Sequence, residues 1–180
     1  MLRFLVLGGF LVGCRPDDVK DDTGGGSDSV ADDSGDSTPP VDDLVGSWLS
    51  EGANISPLFA ASPYNYVSIT AVFNADATYS ADGVQDSDGD GAGDTTYTFS
   101  GTYTTDLTTE PHTIALTQTS PSADTATGIW DVDGDTLTYE VLSAQAASVC
   151  DAPTPEGGFG STSCRVGNYE DGFNIQVYVR

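Results

Sequence analysis

A glycine-rich segment between two predicted strands carries aspartates at alternate positions, Asp86, Asp88 and Asp90, followed by Asp94. Carboxylate oxygens are the ligands that hard divalent cations such as calcium prefer, and interspersed glycines let the backbone wrap closely around one ion. The segment 86–94 therefore predicts a calcium site. The alternative is an acidic hairpin loop whose carboxylates are solvated by water alone.

The opening of this segment resembles the EF-hand loop and, more closely, the calcium repeats of the thrombospondin type 3 family. In the EF-hand register, Tyr97 stands where a glutamate binds calcium through both of its carboxylate oxygens, and a tyrosine cannot replace it. The resemblance therefore implies a site of low affinity unless another carboxylate, such as Asp82, contributes.

The N-terminus has the pattern of an export signal. Arg3 precedes an apolar stretch over residues 4–12, which is shorter than the roughly 20 residues of a membrane-spanning helix but suits a signal peptide. The stretch ends in Leu11-Val12-Gly13-Cys14, which resembles the lipobox of bacterial lipoproteins. The resemblance implies a signal peptide over residues 1–13, cleavage before Cys14, and fatty acyl groups such as palmitate on that cysteine. The alternative is an ordinary secretory signal with a cysteine there by chance.

This interpretation places the protein on the exported side of the cell membrane or outer membrane, in the periplasm or at the cell surface. With Cys14 used by lipid, Cys150 and Cys164 remain of the three cysteines in the chain. Exported proteins meet oxidising conditions, so a disulfide between them is expected. A metal site is the weaker alternative because the sequence near them holds no histidine or further cysteine.

The chain is strongly acidic, with 28 acidic and 5 basic side chains in 180 residues and a formal net charge of −23. Repulsion from phosphates argues against a nucleic-acid partner, and repulsion from anionic headgroups means that membrane contact needs the lipid anchor. Residues 14–43 consist largely of aspartate, glycine, serine and proline. Such a segment buries too little apolar surface to offset its chain entropy, which predicts a disordered tether.

From residue 44 to 180 the sequence predicts a single all-β domain. Apolar and polar residues alternate with period two, and threonine and aromatic residues are frequent, a pattern typical of half-buried antiparallel strands. About eight strands are expected, joined by tight links such as Asp133-Gly134, and no helix. The predicted fold is an antiparallel barrel of about eight strands, since closure removes exposed sheet edges, with a β-sandwich as the alternative.

Several short phrases along residues 44–143 together resemble bacterial lipocalin-like domains. They are Gly46-Ser47-Trp48, Phe73-Asn74-Ala75-Asp76-Ala77-Thr78-Tyr79, Gly101-Thr102-Tyr103 and Asp133-Gly134-Asp135-Thr136-Leu137. The resemblance implies an antiparallel barrel with an internal cavity for an apolar ligand. Residues 145–172 depart from it as a long insertion, rich in glycine and proline, around the cysteine pair.

Two interpretations stay open for the aromatic residues of the predicted inward faces: they line a ligand cavity, or they form a solid core. Because small residues such as Ala71 and Gly101 share these faces, we expect a modest apolar cavity open at one end. The segment 57–61 is either a lid over the barrel mouth or a plain loop. The candidate ligand-binding residues are Trp48, Phe73, Tyr79, Phe99, Tyr103, Trp130 and Tyr139.

Enzymatic chemistry finds little support in the sequence. His112 is the only histidine, and neither a Gly-x-Ser-x-Gly elbow nor a glycine-rich phosphate loop is present. Two non-enzymatic hypotheses follow. One is a membrane-anchored envelope lipoprotein whose barrel binds a small apolar ligand. The other is a structural or interaction module at the cell surface, with a filled core and a calcium-stabilised loop.

Overall fold

The computed structural model describes residues 43–165, 167 and 169–180. The predicted signal peptide, Cys14 and the acidic tether up to residue 42 lie outside the described residues.

The described part of the chain is built from β-strands with three single-turn helical segments. The helical segments are a 3-10 turn at Gly52–Asn54, the helix α1 at Pro57–Ala60 and a 3-10 turn at Ala146–Ser148. The strands are β1 (Gly46–Glu51), β2 (Tyr66–Phe73), β3 (Thr78–Gln85), β4 (Thr95–Asp106), β5 (His112–Ser120), β6 (Asp124–Asp133), β7 (Thr136–Ser143), β8 (Cys150–Asp151), β9 (Ser163–Cys164) and β10 (Ile175–Val179).

Eight of these strands close into a barrel in the order β1-β10-β7-β6-β5-β4-β3-β2. Strands β1 to β6 each pair antiparallel with the next strand in the chain, and β10 closes the barrel between β7 and β1. This is an up-and-down barrel. The all-β, eight-stranded antiparallel prediction is confirmed, and the sandwich alternative is not the fold adopted.

The prediction of no helix misses α1, a single turn at Pro57–Ala60. The Ser56 side chain caps this turn by accepting the Phe59 N–H at 3.4 Å, and Pro57 stands in its first turn. These are ordinary helix-start signals, but four residues are too few to show a helical period. The turn packs Phe59 against the barrel core.

Strand register determines which side chains enter the barrel. Trp48 on β1 is paired with Ala71, Ala71 with Ala81, and Ala81 with Phe99, so two small inward residues lie between two large ones. The opposite faces of these strands carry mainly threonine, serine and aspartate. The alternation seen in the sequence is therefore the alternation between core and solvent.

The insertion between β7 and β10 lies against the outside of the barrel. Within it, β8 and β9 pair through Cys150 and Cys164, which form the predicted disulfide. Beneath it, Ile129 on β6 and Leu142 on β7 point outward yet are buried. The insertion thus gives the barrel a second, smaller apolar contact outside the main core.

Candidate functional site

The barrel interior contains the seven aromatic residues that the sequence singles out. Five of them, Trp48, Phe73, Tyr103, Trp130 and Tyr139, are buried members of the hydrophobic core. The other two, Tyr79 and Phe99, are half-buried, and Tyr79 packs against the core from its edge.

Phe73 connects opposite walls of the barrel. Its ring centroid lies 5.2 Å from that of Tyr103 on β4 and 6.2 Å from that of Tyr139 on β7. In the order of the barrel, β7 is separated from β2 by both β1 and β10, so the contact between Phe73 and Tyr139 passes through the interior. At this level the barrel is filled by aromatic rings.

The protein itself satisfies the polar side-chain atoms of three of these buried aromatics. The Trp48 Nε1–H donates to the Leu44 carbonyl at 2.8 Å, the Trp130 Nε1–H donates to the Thr113 carbonyl at 3.2 Å, and the Tyr103 hydroxyl donates to the Asn74 carbonyl at 2.9 Å. In addition, the Arg180 guanidinium lies 4.3 Å from the centroid of Trp48, a cation–π contact. These side chains therefore have the contacts expected of a core.

A polar network connects the inside of the barrel to the segment between β1 and β2. The Gln176 carbonyl oxygen accepts the Ser56 N–H at 2.9 Å, while its amide nitrogen donates to the Ser50 hydroxyl and to the Asn54 carbonyl. Gln176, Ser50 and Ser56 are all buried. Because a buried amide is costly unless it is hydrogen-bonded, this network holds α1 in place over one end of the barrel.

The acidic loop between β3 and β4 brings three of its four predicted ligands together. Carboxylate oxygens of Asp86, Asp88 and Asp94 lie within 4.8 Å of one another, in an arrangement that could hold a metal ion. Asp90 is not in this group, and its carboxylate accepts the Ala92 N–H at 2.8 Å. Calcium binding here stays a prediction.

Hydrogen bonds within the loop hold these carboxylates in position. Asp86 accepts the Gly89 N–H at 2.7 Å and the Gly91 N–H at 2.9 Å. The Ser87 hydroxyl donates to Asp94 and is the main reason why the pKa of that carboxyl is lowered. Asp94 consequently stays charged in weakly acidic solution, which a cation ligand requires.

A groove of about 380 Å³ lies on the outside of the barrel. One wall is the insertion at Pro153, Thr154 and Pro155, and the floor is the outer face of β4, β5 and β6. Thr104, Asp106, Thr113, Ala115 and Thr127 are among the residues of that floor. The sequence did not predict this groove, because strands far from the insertion form its floor.

A cluster of aromatic side chains that the sequence did not predict lies at the barrel end next to the acidic loop. We call the aromatic cluster the four side chains Phe59, Tyr64, Tyr66 and Tyr97, whose rings contact one another. No periodic signal indicated this cluster, because Tyr64 lies in a turn and Asn65, which separates it from Tyr66, has a left-handed backbone with φ 46°.

Glu140 is a second residue that the sequence did not single out. It lies on β7, is fully buried, and accepts the Gly160 N–H at 2.6 Å, the Thr162 N–H at 3.2 Å and the Thr162 hydroxyl at 2.5 Å. All three donors belong to the insertion. A single carboxylate thus joins the insertion to the barrel wall.

No family model, no curated protein and no solved structure matches this chain. The fold nevertheless defines a structural class. It is an eight-stranded up-and-down antiparallel barrel with a disulfide-linked insertion on its outer wall. None of the helices in the described ranges is long and apolar enough to cross a membrane.

Proposed function

We propose that this chain is a lipid-anchored, non-enzymatic recognition module of the bacterial cell envelope. In this proposal the barrel interior is a structural core, and the outer surface and loops meet the partner. The acidic tether holds the domain away from a membrane whose anionic headgroups repel it. The lipobox-like sequence Leu11-Val12-Gly13-Cys14 and the disulfide support an exported location.

The observation that carries the proposal is the position of Phe73. Its ring packs against Tyr103 on one side of the barrel and Tyr139 on another, and Tyr139 in turn contacts Tyr178 at 6.3 Å between centroids. Burial raises the pKa of both Tyr139 and Tyr178, as expected for phenols enclosed by other side chains. A ligand could enter this level only by displacing aromatic rings that already contact one another.

A second candidate function is the binding of a small apolar ligand at the less buried end of the interior. Tyr79 and Phe99 are only half-buried there, and glycine and alanine stand beside them at Gly101 and Ala81. Because Tyr79 is paired with Phe73 and its ring stacks on that of Phe73 at 6.3 Å, such a site would be a shallow apolar surface at the edge of the filled level.

A neutral fluorescent probe, N-phenyl-1-naphthylamine, separates the two functions. It is titrated into a chain of residues 15–180, which retains every described residue. For a recognition module with a filled core, we expect no saturable rise in fluorescence.

Saturable binding that fatty acids displace and that Phe99→Trp abolishes would instead establish the apolar-ligand function. The matched control is Thr98→Trp, which adds the same side chain at an adjacent exposed position on the other face of β4. A loss of binding in both variants would point to general damage to the barrel.

A further inference from the structure

The aromatic cluster lies at one end of the barrel, where α1, the start of β2 and the start of β4 meet. The ring centroids of Phe59 and Tyr64 are 5.6 Å apart, those of Phe59 and Tyr66 are 5.9 Å apart, and those of Tyr64 and Tyr66 are 6.1 Å apart. Tyr97 continues the cluster, with its centroid 6.4 Å from that of Tyr66. The rings therefore form one connected cluster, with ring planes inclined to one another by 30° to 81°.

Two members of this cluster present their rings to solvent. Tyr64 is 40% exposed and Tyr97 is 45% exposed, which places both among the few exposed large hydrophobic side chains of the described residues. Phe59 and Tyr66 are half-buried and support them from the core side. Exposed rings held together in this way are a feature of binding surfaces.

The backbone around the cluster is fixed before any ligand arrives. The Tyr64 N–H donates to the Ala61 carbonyl at 2.9 Å, and the Asn65 carbonyl accepts the Asp86 N–H at 3.0 Å. Gly83 makes room for the Tyr66 ring, because a Cβ at this position would lie 2.9 Å from a carbon of that ring. A rigid platform loses little conformational entropy when it binds.

The tyrosine hydroxyls give the surface a polar rim. Burial raises the pKa of Tyr66, and the neighbouring Tyr97 and Tyr64 raise it further, so the hydroxyl stays protonated near neutral pH. The cluster therefore combines flat apolar ring faces with groups that both donate and accept hydrogen bonds.

Charge and spacing limit which ligand suits this surface. The net charge of −23 opposes an anion. Ring centroids 5.6–6.4 Å apart are in direct contact, which leaves no room for a cation enclosed between the rings. A neutral molecule with apolar C–H faces and several hydroxyls suits exposed tyrosine rings, each of which offers an apolar face and a hydroxyl.

We infer that the aromatic cluster binds a neutral saccharide, the C–H faces of pyranose rings stacking on the exposed rings of Tyr64 and Tyr97 and the sugar hydroxyls bonding to the tyrosine hydroxyls. This inference rests on the proposed recognition function and supplies its ligand class. The two fail separately. Binding of the apolar probe would overturn the filled core without touching this surface, and absence of saccharide binding would leave the filled core unaffected.

The test is native gel electrophoresis of the chain of residues 15–180 in gels that contain soluble starch, laminarin or galactomannan, with anionic alginate as a further arm. We expect at least one neutral polysaccharide to retard the protein. Tyr64→Ala combined with Tyr97→Ala should weaken this apparent affinity by at least about tenfold. The control Tyr169→Ala removes an exposed tyrosine outside the cluster and should leave retardation unchanged.

A second variant keeps the rings and removes only the hydroxyls: Tyr64→Phe with Tyr97→Phe should retain part of the retardation. If the double alanine variant fails to fold, the double phenylalanine variant tests the inference instead. Retardation equal to that of the unaltered chain would show that the tyrosine hydroxyls do not bind the saccharide, which would overturn the inference. Retardation by alginate alone, no retardation by any neutral polysaccharide, or full retardation of a folded alanine variant would overturn the inference.

Discussion

At the scale of single residues, Glu140 has the most distinctive surroundings. It is a fully buried carboxylate, and its partners are backbone and hydroxyl donors of the insertion rather than a cation. Burying a carboxyl group this deeply is costly unless hydrogen bonds compensate. Thr162 extends the contact, because its hydroxyl also accepts the Asn174 amide at 3.2 Å.

We expect Glu140→Ala to lower the free energy of unfolding by about 2–4 kcal/mol, since it leaves buried donors of Gly160 and Thr162 without an acceptor. Glu140→Gln keeps one acceptor oxygen and should cost less. Urea unfolding followed by tryptophan fluorescence measures both. The control is Glu51→Ala, which removes an exposed glutamate from β1. Equal losses at positions 140 and 51 would contradict the role given to Glu140.

The acidic loop carries the second prediction at this scale. Titration calorimetry with calcium should show one weak site, with a dissociation constant of about 10⁻⁴ to 10⁻³ M as in extracellular modules. Asp86→Asn with Asp88→Asn should remove the heat, because these two carboxylates lie together with Asp94.

The matched control for calcium binding is the Asp-x-Asp pair of the β6–β7 hairpin. Asp131→Asn with Asp133→Asn removes the same charge from a similar local sequence and should leave the heat unchanged. Absence of heat from the unaltered chain at millimolar calcium would favour a loop that is solvated by water alone.

At the scale of elements, the disulfide and the strand pair β8–β9 stabilise a long segment with little regular structure of its own. Cys150 and Cys164 are 14 residues apart in the chain. A cross-link that closes a loop of this length stabilises by about 3 kcal/mol in the chain-entropy model. The barrel strands, by contrast, hydrogen-bond to one another without help from the insertion.

Replacing both Cys150 and Cys164 by serine should therefore lower the free energy of unfolding by about 3 kcal/mol while the barrel persists. Amide hydrogen exchange should accelerate chiefly in the insertion, for example at the Arg165 N–H, which donates to the Val149 carbonyl at 2.8 Å. Loss of the β-sheet circular dichroism signal in the double variant would show that the barrel depends on the insertion.

At the scale of the whole molecule, the proposal joins a membrane anchor, an acidic spacer and a barrel. In the proposed function, the lipid anchor would hold the domain at the membrane, because a chain with a net charge of −23 gains nothing from contact with anionic headgroups. One acyl chain gives only marginal membrane binding, so stable attachment needs more than a single lipid. The lipobox interpretation implies such modification at Cys14.

Expressed in a bacterial host, the chain should incorporate labelled palmitate and partition into the detergent phase of Triton X-114. Cys14→Ser should abolish both properties, because it removes the only cysteine of the lipobox-like sequence. The variant with Cys150→Ser and Cys164→Ser serves as the control and should keep the label. Equal labelling of the Cys14→Ser chain would refute the lipid anchor.

The sequence alone predicted the antiparallel strands and the cysteine pair, and it favoured a barrel over a sandwich. Alternation with period two over segments such as 66–73 predicts half-buried strands because successive side chains of a strand point to opposite faces. Tight turns such as Asp133-Gly134 then make consecutive strands antiparallel neighbours. These features are local, so they can be read without knowing where the rest of the chain lies.

Only the tertiary structure decided what the inward aromatics do and which outward residues are covered. The contact of Phe73 with Tyr139 depends on the width and stagger of the closed barrel, which alternation does not specify. Glu140 looks like a solvated strand residue until the insertion, about 20 residues later, lies over it. Contacts between distant segments decide burial, and the local pattern that predicts a strand contains no information about them.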